Sequence, residues 1–369
     1  MKRMPSRKEQ VREITQSGPD SNHALAISAG KGPWILRCAP GLARLLSAEM
    51  VLRGLVSRRT SHSFLRQRNH DLVFVQRTDR QQSWNLLRIS EEVHRCIVYG
   101  RYKISNAQLE RLAGLLKASH TAFRLIVTAD GSHFSRQEMK RYLSRALQDL
   151  KVPISEEATA AVYTFCVDEA YYICLPQCSS TDAPLRTRRE SERQGSLPVT
   201  IAAAVAFVGK PKPEDIVVDP VCGSGTLLAE VSAYTRVARV IGADIDRGAL
   251  KSASRNLSHI KNVELIAADG TGTGLPSSMA SLFLANLPFG KQFGSRTTNP
   301  RLYKALLSEM NRVGIPGKWR AVLLTSDSDA MEGALGHWAE LRLDKRLSVF
   351  VRGEKAHIFL VSAADRVER

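Results

Sequence analysis

A loop in the second half of the chain combines glycines, an acid and a hydroxyl in a pattern typical of ligand-binding turns. The apolar run 216–218 ends in Asp219, and the sequence Pro-Val-Cys-Gly-Ser-Gly-Thr then leads into a predicted helix. Glycines let a ligand approach the backbone closely, and a helix N-terminus favours a negatively charged group. A nucleotide-hydrolysing loop requires lysine after its second glycine, but Gly225 is followed by Thr226 and Leu227. That class of loop is therefore excluded.

Two acids at the ends of the next two predicted strands could bind the rest of a nucleoside. Asp244 lies 19 residues beyond Gly225, where a carboxylate can hold both hydroxyls of a ribose. Asp269 ends the third strand and can accept a hydrogen bond from an adenine amine, or cap a turn. We expect Asp246 to cap the next helix. S-adenosylmethionine fits this spacing, whereas NAD is disfavoured because position 228 is leucine; a tight turn without a ligand is the alternative.

The fourth predicted strand ends in a group suited to a different task, the sequence Asn286-Leu-Pro-Phe-Gly290. The amide oxygen of Asn286 and the backbone carbonyl of Leu287 can accept the two hydrogens of an exocyclic amine. Such contacts pull the nitrogen toward tetrahedral geometry and direct its lone pair at a methyl donor. Phe289 can stack on the base, and Pro288 stiffens the turn. The pattern indicates N-methylation by positioning; an ordinary asparagine-containing loop is the alternative.

Strands and helices alternate regularly from Leu197 to the end of the chain. This series predicts a mostly parallel sheet with helices on both faces. The segments 342–351 and 356–361 flank Gly353 and predict an antiparallel hairpin at one edge. The glycines, the two acids and Asn286 therefore stand in register within one strand–helix series.

The first half of the chain mixes strands and helices without any chemical constellation. Segment 90–99 is compatible with a strand or a helix. Ser135, with Glu138 three residues on, predicts a capped helix. Segments 162–167 and 171–175 predict a hairpin. We interpret residues 84–178 as a binding module, which follows a small α+β unit.

The charge of the chain indicates a polyanionic partner. Its 369 residues include 53 Lys and Arg against 36 Asp and Glu, a net charge of +17. Residues 1–110 alone hold 19 basic and 9 acidic residues. Such a field attracts nucleic acid, with an anionic membrane surface as the alternative. The sequence contains no apolar run of about 18 residues, which a membrane-spanning helix would need, and no secretory signal. Its six cysteines form no CxxC pair. We therefore expect reduced thiols in the cytoplasm and no metal site.

Three motifs together resemble those of the THUMP-domain RNA guanine-N2-methyltransferases. They are Asp219-Pro-Val-Cys-Gly-Ser-Gly-Thr226, Gly242-Ala-Asp-Ile-Asp246 and Asn286-Leu-Pro-Phe-Gly290. More loosely, Leu36-Arg-Cys-Ala-Pro-Gly-Leu42 is similar to that family's N-terminal ferredoxin-like domain and residues 123–150 to its THUMP domain. The resemblance implies an α/β fold: a Rossmann-like class I methyltransferase domain, with a mostly parallel seven-stranded sheet and a C-terminal antiparallel hairpin, preceded by α+β ferredoxin-like and THUMP domains.

The resemblance also implies a domain order, a reaction and a partner. The order is a flexible basic tail (1–30), a ferredoxin-like domain (31–83), a THUMP RNA-binding domain (84–178), a linker (179–196) and the methyltransferase domain (197–369). The implied reaction is transfer of a methyl group from S-adenosylmethionine to the N2 amine of a guanosine in structured RNA, most often transfer RNA. The basic N-terminal half is expected to bind the RNA, and we expect a monomer without a membrane partner. The need for an activating subunit is left open.

Gly195-Ser-Leu-Pro198 is similar to the family's segment that closes over the methionine end of the cofactor. Matching positions in this segment and in the motifs identifies the expected site residues. Those implied for cofactor binding are Ser196, Pro198, Asp219, Cys222, Gly223, Gly225, Thr226, Asp244, Ile245, Asp269, Gly270 and Asn286. Those implied for catalysis are Asn286, Leu287, Pro288 and Phe289. The family's commoner form has a proline where this chain has Leu287, but only the backbone carbonyl is needed there.

Two other classes of function compete with this interpretation. One is an N-methyltransferase acting on ribosomal RNA, on DNA bases or on a protein amide. The other is a non-catalytic RNA-binding protein that retains the enzyme fold. The presence of the loop glycines, the three strand-end acids and Asn286 argues against the second.

Overall fold

The computed structural model describes residues 32–57, 60, 62–67, 69–76, 83–119, 121–129, 132–179, 196–289 and 297–364. The chain divides into two compact units, Met1–Ala183 and Pro184–Arg369. The predicted tail 1–30 and residues 180–195 of the predicted linker lie outside the described residues.

The first unit is built on one sheet with the strand order β2-β3-β1-β4-β7-β6-β5. Neighbouring strands are antiparallel, except that β5 and β6 are parallel. Its elements are β1 (Trp34–Cys38), α1 (Ala43–Leu52), β2 (His62–Arg66), β3 (Asp71–Val75), β4 (Glu92–Arg101), α2 (Asn106–Lys117), β5 (Phe123–Thr128), α3 (Arg136–Asp149), β6 (Ala160–Val167) and β7 (Ala170–Ser179).

Strand β4 connects the parts of this sheet that the sequence assigns to different domains. On one side Arg95 lies opposite Trp34 of β1, and on the other Cys96 lies opposite Cys174 of β7. Residues 92–99 of the segment 90–99 thus belong to a strand, because partners on both sides satisfy their backbone groups. The division into ferredoxin-like and THUMP domains stays a prediction, and the hydrogen-bonded sheet runs continuously across it.

The helix starts of the first unit follow the predicted chemistry only in part. Ser135 accepts a hydrogen bond from the Glu138 backbone N–H at 3.4 Å and begins α3. The reciprocal capping box is found instead at the start of α2, where Ser105 and Gln108 bond to each other's backbone. Glutamine can accept the reciprocal hydrogen bond of this motif as well as glutamate does. The spacing of Ser105 and Gln108 therefore predicts the capping box of α2 from the sequence.

The second unit contains the predicted seven-stranded sheet, with the strand order β10-β9-β8-β11-β12-β14-β13. Strands β8 to β12 are parallel, and the last two form the expected antiparallel hairpin. Its elements are α4 (Val199–Gly209), β8 (Ile216–Asp219), α5 (Thr226–Tyr234), β9 (Arg239–Asp244), α6 (Arg247–Asn256), β10 (Val263–Ala267), β11 (Leu282–Asn286), α7 (Asn299–Val313), β12 (Arg320–Thr325), α8 (Ser328–Leu335), β13 (Leu341–Val351) and β14 (Glu354–Ala363).

The order of these strands reverses at β8, which pairs with β9 on one side and with β11 on the other. In open parallel sheets a crevice forms at such a switch point, outside the carboxyl ends of the strands. Here the switch point lies between the loop after β8 and the loop after β11. The sheet therefore places the predicted glycine turn beside the predicted Asn286 turn.

Buried apolar residues hold this sheet rigid beneath the crevice. Helix α4 is buried on nearly every side, which explains why its sequence is apolar throughout rather than amphipathic. Trp319 packs edge-on against Phe283 of β11, with ring centroids 5.4 Å apart. No helix in the described part of the chain has the length and apolar character needed to cross a membrane.

Candidate active site

The carboxyl edge of the second sheet gathers the polar residues that the sequence singles out. Asp219 ends β8, Asp244 ends β9 and Asn286 ends β11, while Asp269 follows β10 by two residues. Parallel pairing brings these ends to one edge: Ala267 of β10, for example, lies opposite Asp244. Four separate chain segments thus meet around the crevice.

The glycine loop, residues 219–226, is fixed to the neighbouring strand by its own backbone. The Cys222 N–H donates to the Ala243 carbonyl at 2.9 Å, and the Gly223 N–H donates to the Asp244 carboxylate at 2.8 Å. Gly225 has φ +80°, which favours glycine, and an added Cβ would lie 2.8 Å from the Leu257 side chain. The loop can therefore approach helix α6 closely only with glycine at that position.

Asp244 is held in a defined orientation at the end of β9. One carboxylate oxygen accepts from Gly223, and the other accepts from the Asp246 N–H at 2.8 Å. Asp246 caps α6 by accepting from Gly248 at 2.7 Å, as the sequence predicts. The side chain of the intervening Ile245 is 76% exposed. Asp244 is thus oriented, while Ile245 offers an apolar surface beside it.

Asp219 is almost fully buried beneath the loop, with 1% of its surface exposed. Burial, together with the nearby charge of Asp244, raises the pKa of Asp219 to about 8. Its carboxyl accepts from the Val221 N–H at 3.1 Å. Burial also raises the pKa of the Cys222 thiol, with the charges of Asp219 and Asp244 acting in the same direction, which disfavours the thiolate.

Asp269 and Gly270 form the turn that follows β10. The exposed Asp269 carboxylate accepts from the N–H and the hydroxyl of Thr271, at 2.8 and 2.7 Å. A Cβ added to Gly270 would lie 2.4 Å from the Pro220 carbonyl, so this turn packs directly on the glycine loop. Asp269 therefore does cap a turn, and the same turn holds it next to the glycine loop.

The segment before α4 reaches the other end of the glycine loop. The Ser196 hydroxyl lies 3.2 Å from the Ser224 hydroxyl, which in turn lies 3.5 Å from that of Thr226. Arg352, in the turn between β13 and β14, donates to the Ser196 carbonyl at 2.9 Å. Pro198 precedes the first residue of α4. These contacts bring Ser196, Pro198 and Thr226 to the same crevice as the acids.

The asparagine loop, residues 286–289, presents two hydrogen-bond acceptors that no donor in the described part of the chain reaches. The side-chain oxygen of Asn286 is buried and has no hydrogen-bond partner among the described residues. The Leu287 N–H donates to Leu324 at 2.9 Å, but no donor in the described ranges reaches the Leu287 carbonyl. A buried acceptor without a donor is costly unless a ligand supplies one. The pair is therefore suited to a group with two N–H bonds.

The rest of the asparagine loop is held by residues that the sequence did not single out. Tyr303 of α7 donates to the Pro288 carbonyl at 2.6 Å, and its hydroxyl lies 2.7 Å from that of Thr325. Ser326 donates to the Phe289 carbonyl at 3.5 Å. For Thr325 the sequence offers one signal of such a role, its position at the end of β12, the parallel strand next to β11. Gly290, the last residue of the motif, lies outside the described residues.

Residues 186–357 match the family model described as UPF0020, RMKL-like, methyltransferase domain. This part of the chain is similar to RMKL-like methyltransferase domains. The match includes the glycine loop, the strand-end acids and the asparagine loop. It confirms the class I methyltransferase fold expected for the second half of the chain, whereas the roles of the individual site residues stay predictions.

Curated relatives of this chain include two named guanine-N2-methyltransferases from Mus musculus. The tRNA (guanine(6)-N(2))-methyltransferase THUMP3 is 31% identical over 186 residues, which cover 44% of this chain and 36% of that protein. The U6 snRNA (guanine-N(2))-methyltransferase THUMPD2 is 33% identical over 147 residues, which cover 39% of this chain and 27% of that protein. The matched region thus spans about a third of these relatives' own length.

Solved structures share the fold over most of the chain. The crystal structure of TrmN from Thermus thermophilus has a TM-score of 0.74 at 21% identity and covers 90% of this chain and 99% of its own. The structure of SMU.472, described as a putative methyltransferase complexed with SAH, has a TM-score of 0.62 at 14% identity, covering 92% and 100%. Both support the fold of the methyltransferase domain and of the elements before it.

Proposed function

We propose that the chain transfers a methyl group from S-adenosylmethionine to the exocyclic N2 amine of a guanosine in structured RNA, with transfer RNA as the first substrate to test. The observation that carries the proposal is the acceptor pair of the asparagine loop. The Asn286 amide oxygen is buried and has no donor within the described ranges, and the Leu287 carbonyl lies next to it in the chain. An exocyclic amine supplies the two N–H bonds that such a pair requires.

The residues of the glycine loop fit the proposed cofactor. A Cβ placed on Gly223 would meet no described atom within 4 Å, so the loop has open space on that side. Asp244 and Asp269 offer carboxylate oxygens for a ribose and for an adenine amine, and Ile245 offers an apolar contact. The bound cofactor would supply an electrophilic methyl group. We propose that the holding residues are Ser196, Pro198, Asp219, Cys222, Gly223, Gly225, Thr226, Asp244, Ile245, Asp269, Gly270 and Asn286.

The proposed role of the asparagine loop is to orient the amine rather than to remove a proton. Asn286 and Leu287 accept hydrogen bonds that become stronger as the nitrogen becomes tetrahedral and positively charged. Phe289 stacks on the base, and Pro288 limits movement of the turn. A neutral amide and a carbonyl are weak bases, so the proton of the methylated nitrogen passes to water. Positioning therefore accounts for most of the proposed rate enhancement.

The choice of guanosine and RNA rests on the relatives and on charge. The two relatives named above are guanine-N2-methyltransferases of a tRNA and of U6 snRNA. The charge excess of this chain is largest in residues 1–110. We propose that residues 31–83 and 84–178 act as ferredoxin-like and THUMP modules that together bind the RNA. The six free cysteines favour a reducing, cytoplasmic location.

A methyl-transfer panel tests the proposal. The full chain is incubated with labelled S-adenosylmethionine and with transfer RNA, ribosomal RNA, DNA or protein, and modified nucleosides are identified by mass spectrometry. We expect N2-methylguanosine in transfer RNA. A methyl group found only on an adenine amine, a protein amide, a ring nitrogen or a ribose oxygen would contradict the proposal. Mapping the mark lost from cells without the gene then identifies the modified position.

RNA binding by the first unit can be tested by matched charge removal. Arg141 and Arg145 are exposed one turn apart on α3, as Lys251 and Arg255 are on α6. We expect Arg141→Ala/Arg145→Ala to weaken RNA binding about tenfold and to reduce the slope of log affinity against log salt by about 2. The control Lys251→Ala/Arg255→Ala should leave both nearly unchanged. Filter binding from 50 to 200 mM salt measures both quantities, and equal losses in the two variants would contradict the division of labour.

A further inference from the structure

Four hydrogen bonds link the starts of two helices to the asparagine loop. The Asn299 amide donates to the Asp327 carboxylate at 2.9 Å, and the Asp327 N–H donates to the Thr325 hydroxyl at 3.0 Å. The Thr325 and Tyr303 hydroxyls lie 2.7 Å apart, and Tyr303 lies 2.6 Å from the Pro288 carbonyl. These residues come from α7, α8, β12 and the loop after β11.

The two ends of this series fix the direction of every bond in it. A carbonyl can only accept, so the single proton of the Tyr303 hydroxyl points at Pro288. Thr325 must then donate to Tyr303 while it accepts from the Asp327 N–H. Because every hydroxyl both donates and accepts, the bonds polarise one another and the arrangement has no alternative direction. The Pro288 carbonyl is consequently held in one orientation.

The chemical state of Tyr303 suits this role. The residue is fully buried, and burial raises the pKa of its hydroxyl to about 12, with the Asp327 charge acting in the same direction. It therefore remains a neutral donor at physiological pH. The phenol adds a short, strong bond at a site where a phenylalanine of nearly the same shape would satisfy the packing alone.

The asparagine loop is anchored on both sides of its acceptor pair. The Leu287 N–H is tied to Leu324, and the Pro288 carbonyl is tied to Tyr303. The Leu287 carbonyl lies between these two anchors and is left without a described donor. Its direction, and that of the adjacent Asn286 side chain, therefore depends on both anchors.

We propose that Tyr303 is a positioning residue for methyl transfer, which aims the Asn286 and Leu287 acceptors at the substrate amine by fixing the Pro288 carbonyl. The proposal rests on the proposed function of the asparagine loop. It assigns a role to a buried residue that touches neither cofactor nor substrate.

The test removes single oxygens and separates rate from binding. We expect Tyr303→Phe to lower kcat about ten- to a hundredfold, with the KM for S-adenosylmethionine and the affinity for RNA changed less than about threefold. Thr325→Val removes the bonds of the Thr325 hydroxyl to Tyr303 and to Asp327 but keeps the bond from Tyr303 to Pro288, so it should give a smaller loss. Thr325→Ser retains the hydroxyl and should restore the wild-type rate.

Tyr171→Phe is the matched control. Tyr171 is also buried, and its hydroxyl donates to a backbone carbonyl, that of Lys103, at 3.0 Å, but it belongs to the first unit. Loss of the Tyr171 hydroxyl should lower the thermal stability about as much as loss of the Tyr303 hydroxyl does. It should not lower kcat at saturating RNA. Equal loss of kcat in Tyr171→Phe and Tyr303→Phe would overturn the proposal, since it would reduce the effect to general destabilisation.

A readout without substrate keeps this proposal separate from the proposed function. Hydrogen exchange of the peptide that spans residues 282–289 is measured in the full chain. Tyr303→Phe should accelerate exchange there, and Tyr171→Phe should not; unchanged exchange in both would overturn the positioning role. If the wild-type chain methylates DNA or protein instead of RNA, the proposed function is wrong. The kcat values of the variants are then compared on that substrate, so that the positioning role is still tested.

Discussion

The glycine loop and the asparagine loop lie at the ends of adjacent strands, yet they treat their polar groups in opposite ways. In the glycine loop the protein satisfies its own groups: Gly223 donates to Asp244, and Val221 donates to Asp219. In the asparagine loop the side-chain oxygen of Asn286 and the Leu287 carbonyl are left without described donors. The first loop is therefore preformed without a ligand, whereas the second leaves acceptors that an incoming donor can pair with.

This difference indicates where binding and rate reside. Groups that are already paired can bind a ligand with their remaining lone pairs and need little rearrangement. Unpaired acceptors gain most when a donor of growing positive charge arrives, which is the situation in a transition state. Substitutions in the glycine loop should then act on affinity, and substitutions in the asparagine loop on rate.

The largest expected effect is on the asparagine loop. Asn286→Ala should reduce single-turnover methylation about a hundredfold or more, because it removes one preorganised polar contact. Binding of S-adenosylmethionine and RNA should change by no more than a few-fold. Rapid-quench kinetics and calorimetry measure these quantities. Asn311→Ala, whose amide contacts Trp319, is the control, and near-normal turnover in Asn286→Ala would remove the distinction between the loops.

The next effect is on the glycine loop. Asp244→Ala should weaken S-adenosylmethionine binding about ten- to a hundredfold, in line with the loss of about 1.5–3 kcal/mol for bonds to a charged group. Asp246→Ala is the control two residues away: it removes the cap of α6 at a cost of about 1 kcal/mol in stability but should leave affinity nearly unchanged. Calorimetry decides, and equal losses of affinity would contradict the assignment of Asp244.

The third effect is on stability alone and concerns the cost of preforming the glycine loop. Because the pKa of Asp219 rises to about 8 in the folded chain, folding takes up a proton between pH 4 and 8. The free energy of unfolding should decline by about 1.4 kcal/mol per pH unit across that window. Asp219→Asn removes this decline, so its advantage over the wild type should grow from pH 5.5 to 7.5. Denaturant titrations measure it, and parallel curves would be inconsistent with a protonated Asp219.

Local chemistry explains what could be predicted from the sequence. Asp219, Gly223, Gly225 and Asp244 belong to strand–turn–helix segments whose function is encoded within about ten residues, and the structure places them together at one sheet edge. Asp246 was recognised as a cap because capping is a contact between near neighbours.

Contacts between distant segments explain what could not. The hydrogen bond from Tyr303 to Pro288 depends on how α7 packs beside β12. In the sequence, a buried tyrosine on a helix cannot be distinguished from any other core residue. The segment 90–99 mixed apolar and charged residues, and only its partners β1 and β7 made it a strand. Helix α8 was not predicted, although Asp327 caps it by accepting from Ala330 at 3.3 Å.

The central position of β4 has a consequence for how the chain is made. During synthesis β4 can pair with β1 once Arg101 has left the ribosome, but its other partner, β7, begins only at Ala170. At about 5–20 residues per second, the ribosome needs roughly 3 to 14 seconds to deliver that strand. Throughout this interval one side of β4 is an open edge on a nascent chain, able to pair with a neighbouring nascent chain on the same messenger. Codon choice and chaperone access between residues 101 and 170 should therefore influence the yield of folded protein.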